Sequence, residues 1–142
     1  MGATALIDKS LSIEQLENSI WLEPNFPSRL VTKCHALRKI PISEMSAEDL
    51  RLLIGQKIGL PFLIPMALEI LLDDPMRAGT FHGDLLFHVL KVDMSFWNKN
   101  PELYKELVSV FSELEQAVAF YHDELKPLWT RLNCAVNGEN KY

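Results

Sequence analysis

Apolar residues in this chain recur at spacings of three and four rather than in strict alternation, and helix caps, glycines and prolines punctuate the segments they define. The most apolar stretch, residues 46–74 (SAEDLRLLIGQKIGLPFLIPMALEILLDD), reads as two helices in tandem. Ser46 with Asp49 makes a capping-box start, Gly59 a break, and Pro75 a stop, while Pro61 falls near a helix start where a missing N–H costs nothing. In the second helix Leu60, Phe62, Leu63, Ile64, Met66 and their apolar successors to Leu72 cover nearly every azimuth and leave Glu69 as the lone charge. A helix without a polar stripe is buried on most sides, so the rest of the chain is expected to pack around it.

The flanking segments supply the packing layers. Ser12 and Gln15 box the start of a short helix ending near Asn18, and Trp21, Pro24, Phe26 and Pro27 form an aromatic connector. Ser28 caps SRLVTKCHALRK, whose stripe is Leu30, Val31, Cys34 and Leu37, with Arg38 and Lys39 complementing the negative helix end before Pro41. Gly83-Asp84 leads into DLLFHVLKV, buried through Leu85, Leu86, Val89, Leu90 and Phe87, and Met94 to Asn98 makes one further turn. Asn100 and Pro101 then open a long amphipathic helix in which Leu103, Leu107, Phe111, Leu114, Val118 and Tyr121 form the inner face. Lys105, Glu106, Glu113, Glu115 and Gln116 form its wet one. Pro127 is expected to interrupt the chain before a last short helix, LWTRLNCAV. The fold class is all-α: one domain over residues 1–142, six to eight helices around a buried central one, with loose ends at 1–10 and 137–142.

Charge narrows the functional classes. Nineteen acids against fourteen bases give a net charge of −5, which argues against nucleic acid as a partner and for a basic one. The acidic excess centres on residues 41–90, with seven acids and three bases. The acidic groups Glu14/Glu17, Asp73/Asp74 and Glu113/Glu115, with Asp84, can dock such a partner, although any one charge on a helix is ordinarily just solvated. Lys57, Glu69, Pro61 and Pro65 within the apolar centre argue for a protein core rather than a membrane span. Cys34 and Cys134 lie far apart without metal-ligand spacing, and no secretory or myristoylation signal opens the sequence, so a cytoplasmic protein with reduced thiols is expected.

Catalytic groups are thin. His88 follows Asp84 by four residues and could share a helix face with it as a base and its orienter, with His82 just upstream; this is the basis for reading the chain as a small helical hydrolase. An aspartate at a helix start is already explained as a cap, however, and neither Cys34-His35 nor His122-Asp123 can act as a pair, because adjacent helical side chains diverge by about 100°. No metal site, cofactor or catalytic residue is assigned. The three tryptophans, Trp21, Trp97 and Trp129, read first as lids on the core and second as partner contacts.

Taken together, IEQLENSIW, LVTKCHALRKIPI, the apolar tandem, DPMRAGTFHGDLL and FWNKNPEL occur in an order that resembles the immunity proteins of contact-dependent growth inhibition (CDI) systems, over roughly residues 13–107. The resemblance implies a small, monomeric, cytoplasmic bacterial antitoxin without enzymatic activity. It would bind and neutralise the toxic C-terminal domain of its cognate delivery protein by covering the active site or a neighbouring surface. The helical group it resembles is associated with ribonuclease toxins, which are basic where they attract phosphate, so an acidic inhibitor suits that role. Glu14, Glu17, Asp73, Asp74 and Asp84 are the candidate contacts. Besides the hydrolase, a general helical adaptor without a toxin partner is the alternative.

Overall fold

The computed structural model describes residues 6–25 and 28–138. Phe26 and Pro27 of the expected connector, and 1–5 and 139–142 of the expected loose ends, lie outside the described residues. In chain order the helices are α1 (Ile13–Glu17), α2 (Arg29–Leu37), a 3₁₀ turn (Ile42–Glu44), α3 (Ala47–Gly55), α4 (Leu60–Asp73), α5 (Asp84–Leu90), α6 (Met94–Lys99) and α7 (Pro101–Phe120). A π-helical segment (Tyr121–Leu125) joins α7 without a break to α8 (Lys126–Gly138), so these last three form one rod and the described residues form seven helical bodies. Among the described residues there is no strand, only an isolated bridge between Ser12 and Pro41.

Local chemistry places the helix ends where the sequence puts them. Ser12 accepts from the Gln15 N–H while Gln15 Oε1 accepts from the Ser12 N–H, at 3.2 and 2.9 Å, and Ser46 and Asp49 make the same reciprocal box on α3. Between α3 and α4 the chain passes through two left-handed residues, Lys57 (φ 62°) and Gly59 (φ 65°). Gly59 is needed there: a Cβ would add left-handed strain and stand 3.0 Å from the Ile13 side chain. Pro65 lies inside α4, and its i−4 residue is Pro61 in the helix's first turn.

α4 is the centre of the core. Leu63, Ile64, Ala67, Leu68 and Leu71 are fully buried, and only Pro61, Glu69, Leu72 and Asp73 along the helix are exposed. α7 packs along one side of it through Leu103, Leu107 and Val110, while α3 and α5 cover another through Leu50, Leu53, Ile54, Leu85 and Val89. α3 and α5 meet closely. A Cβ on Gly55 would lie 2.8 Å from the His88 ring, so that glycine sets their separation. No helix among the described residues is long and apolar enough to cross a membrane.

The structure departs from the expected pattern in four places. Leu30, Phe87 and Leu90 are exposed rather than core, because the buried faces of α2 and α5 are narrower than their apolar composition suggests. Arg38, read from sequence as a cation complementing the end of α2, is buried, at 1% exposed. The inner face of α7 is buried only through Val110, with Leu114 half-buried; Phe111, Val118 and Tyr121 are exposed, as is every residue from 115 to 137. α4 ends long before α7 does, and the distal rod is left exposed among the described residues. Nor does Pro127 interrupt the rod: the ladder has already shifted to i→i−5 bonding, with the Lys126 N–H donating to the Tyr121 carbonyl.

The central position of α4 sets a stability prediction. Leu63→Asp should leave no cooperatively folded state, because it buries a carboxylate without a partner. Leu68→Ala should fold but lose about 2–5 kcal/mol in urea unfolding, as for other fully buried leucines.

Candidate functional site

The acidic side chains singled out by sequence divide into two groups according to what they bind. Asp84 opens α5 after Gly83 (φ 85°), and its carboxylate closes the preceding loop. Oδ1 accepts from the Gly79 N–H at 2.7 Å, and Oδ2 accepts from the N–H groups of Thr80 and Phe81 at 2.9 and 2.8 Å. Arg51 Nε lies 3.7 Å from the same carboxylate while its guanidinium chelates Glu48 at 2.7 and 2.5 Å. Burial alone would raise the Asp84 carboxyl; the three backbone donors, with Arg51, outweigh it and hold the group below the usual range. Asp84 is therefore the fastener of the 74–83 loop.

Glu14 and Glu17 are engaged as well. Glu14 Oε2 accepts from Lys39 Nζ at 3.1 Å. Glu17 receives the buried Arg38 at 2.5 Å, and the same guanidinium donates to the Ser19 carbonyl at 3.1 Å and stacks on the Trp21 ring at 4.0 Å. Trp21 thus lids an arginine rather than an apolar core, and His35, expected at the surface, is half-buried against its edge. Trp97 is buried, as a core lid should be, and Trp129 stands 60% exposed on the distal rod.

Asp73 and Asp74 remain open to a partner. Both are exposed at the end of α4, where among the described residues the Asp74 carboxylate accepts from the Met76 N–H at 3.1 Å and the Asp73 side chain makes no hydrogen bond or ion pair. They extend a ridge that the sequence did not single out. Glu69, one turn before Asp73, shares a shallow groove with Glu106 of α7, and Glu102 stands one turn from Glu106. Burial, then the neighbouring charges of Glu69 and Glu102, raises the Glu106 carboxyl above its ordinary value. Lys9 and Lys105 partly offset this ridge through exposed pairs with Glu69 and Glu102, at 3.0 and 3.4 Å. The available signal was the i, i+4 spacing of Glu102 and Glu106 together with the single charge on α4. What sequence could not supply was the packing that brings them together.

The histidines do not assemble a reactive pair. His88 Nδ1 lies 2.9 Å from the backbone oxygen of Asp84, not from its carboxylate, and the ring packs on Gly55. His82 is exposed in the loop. Among the described residues no three His, Cys, Asp or Glu side chains come close enough to hold a metal ion.

Because the folded pKa of Asp84 is depressed, its stabilisation is fully present above the ordinary carboxylate range and is lost as the pH falls through the folded value. Asp84→Asn should cost about 1–3 kcal/mol at pH 7. The gap to wild type in urea unfolding should be constant above about pH 5 and close as the pH falls below about 4.

The fold and these surfaces can be set beside known proteins. No curated protein and no solved structure matches this chain. A family model does: the one described as CDI immunity proteins matches residues 15–107, from the capping box of α1 through the buried half of α7. That span is more than half of the sequence and holds all of α2 to α6, the apolar tandem and the Asp84 fastener; the chain belongs to the family of CDI immunity proteins.

Proposed function

We propose that the protein binds and neutralises the toxic C-terminal domain of its cognate CDI delivery protein, that this domain is a basic ribonuclease, and that inhibition is steric. Membership of the family implies neutralisation of a CDI toxin. The finer reading is supported by the net charge of −5 and by the acids left over after internal pairing. A ribonuclease must attract phosphate and presents cationic groups around its active site. Carboxylates that are exposed and pre-positioned meet that surface favourably, speed encounter and select against uncharged partners.

The observation that carries the choice of face is the contrast among the acids. Glu14, Glu17 and Asp84 are themselves largely sheltered, with side chains 20%, 31% and 14% exposed, and they hold Lys39, the buried Arg38 and the 74–83 loop. Glu69 and Glu102 are 63% and 58% exposed and pair only with exposed lysines, while the Asp74 carboxylate holds only the Met76 N–H. The candidate face is therefore the end of α4 and the adjoining first turns of α7, with Asp73 and Asp74 kept from the sequence reading and Glu14, Glu17 and Asp84 given supporting roles. Occlusion by such a face requires no catalytic group, and the cytoplasm, where RNA is the toxin's target, is the compartment in which this inhibitor would act.

Two experiments test this. Co-expression with the toxin domain encoded beside it should restore growth and give a complex that co-purifies; continued toxicity with no complex overturns the reading. Glu69→Lys with Asp73→Lys should slow association with the toxin by about tenfold at low salt, a difference that shrinks as salt is raised, with unchanged circular dichroism. An association rate identical to wild type would move the interface elsewhere.

A further inference from the structure

The buried core and the side chains packed on it end at Leu114, yet the rod continues as unbroken helix to Gly138. Along that extension apolar residues recur at Val118, Tyr121, Leu125, Leu128 and Leu132, the alternating three-and-four spacing of a coiled-coil seam, with Trp129 at its flank. These side chains are between 46% and 60% exposed. A stripe of this length in water marks an interaction surface. It also lies wholly beyond residue 107, where the family match ends.

We propose that this distal rod pairs, antiparallel, with the same rod of a second copy of the chain, making a two-fold dimer in place of the monomer expected from sequence. Three observations select that occupant. The first is charge. Residues 115–138 carry three acids, Glu115, Asp123 and Glu124, and two bases, Lys126 and Arg131, and the seam itself, from Val118 on, is flanked by two of each, so the stripe is close to neutral in a protein of net charge −5. Such a surface suits an equally acidic second copy and offers a basic toxin little.

The second is direction. Glu124 and Arg131 are seven residues apart and flank the seam on the same side. Antiparallel pairing brings Glu124 of each copy opposite Arg131 of the other. Parallel pairing instead sets Glu124 against Trp129 and Arg131 against Val136, and leaves both charges without an opposite partner. The third is fit. Extended to Ala135, the seam has Leu125 and Leu128 as its two middle residues. Pairing about their midpoint seats Leu125 on Leu128 of the other copy, Tyr121 on Leu132 and Val118 on Ala135, so that every layer of the seam is filled. Half-exposed side chains of this size offer on the order of 70–130 Å² each. The pair would then bury roughly 1,200 Å² in total, at the lower edge of specific interfaces, and an isologous contact of this kind closes on itself.

The test is sedimentation equilibrium of the full chain. A species of twice 16.2 kDa that dissociates on dilution is expected, and Leu125→Glu with Leu132→Glu should give a 16.2 kDa monomer that keeps the unfolding transition of the core. Glu124→Arg alone and Arg131→Glu alone should each raise the dimer dissociation constant by about tenfold, and the two together should restore it, since the swapped charges again face their opposites. A mass of 16.2 kDa for wild type at all concentrations overturns the dimer. Single charge variants that leave the constant unchanged overturn the antiparallel direction. A monomer that loses toxin binding with the Leu125→Glu and Leu132→Glu changes would overturn it too, and assign the stripe to the toxin.

Discussion

The constraint on which this fold depends is the complete burial of α4. Its apolar residues face almost every direction, so no single neighbouring layer can cover them, and five of them are sealed from solvent only because α7, α3 and α5 lie against it together. Each partner therefore needs its own device to arrive at the right angle. Gly59 lets the chain reverse between α3 and α4 through a left-handed residue; Gly55 lets α3 approach α5; Asp84 pins the loop that returns the chain from the end of α4 to the start of α5. Each is a local device, and the core would be open on one side without any of them.

The same requirement explains how the acids are divided. A bundle of short helices has many ends and connectors, and each leaves backbone groups that need partners. Asp84 satisfies three N–H groups at once, Asp49 closes a capping box, and Glu17 meets an arginine that is buried because residues 18–21 fold back over the end of α2. Carboxylates in such positions are committed to the fold. Those at the end of α4 and along the first turns of α7 are not, because these helices are already fixed by apolar packing. An acidic ridge there can vary without disturbing the scaffold, which suits a protein whose fold must persist while its surface is matched to one toxin.

Much of the scaffold was legible from sequence because its signals are local. Capping boxes, the Gly59 break, Pro101 at a helix start and the all-round hydrophobicity of α4 are each set by neighbours a few residues away, and the matching family segments lie in those stretches. What failed was every statement that needed to know where a partner helix ends. Arg38 has the sequence context of an exposed C-terminal cation, and only the return of Ser19 and Trp21 makes it a buried one. Phe111, Val118 and Tyr121 have the periodicity of a core face, but α4 is 14 residues long against 20 for α7, so the face outruns its cover. Likewise Glu69, Glu102 and Glu106 are unremarkable until α4 and α7 are laid side by side.

The distal rod takes this reasoning one step further. Helices gain most of their stability from tertiary packing of an apolar face rather than from propensity. Among the described residues the packed core stops at Leu114, and the proposed pairing would supply the packing that the face beyond it lacks. The segregation of charge is informative here: the body holds the acidic excess and the distal rod is close to neutral, with its acids before its bases. Electrostatic capture of a basic toxin and apolar pairing with another copy call for opposite surface chemistries, and the chain keeps them on separate elements.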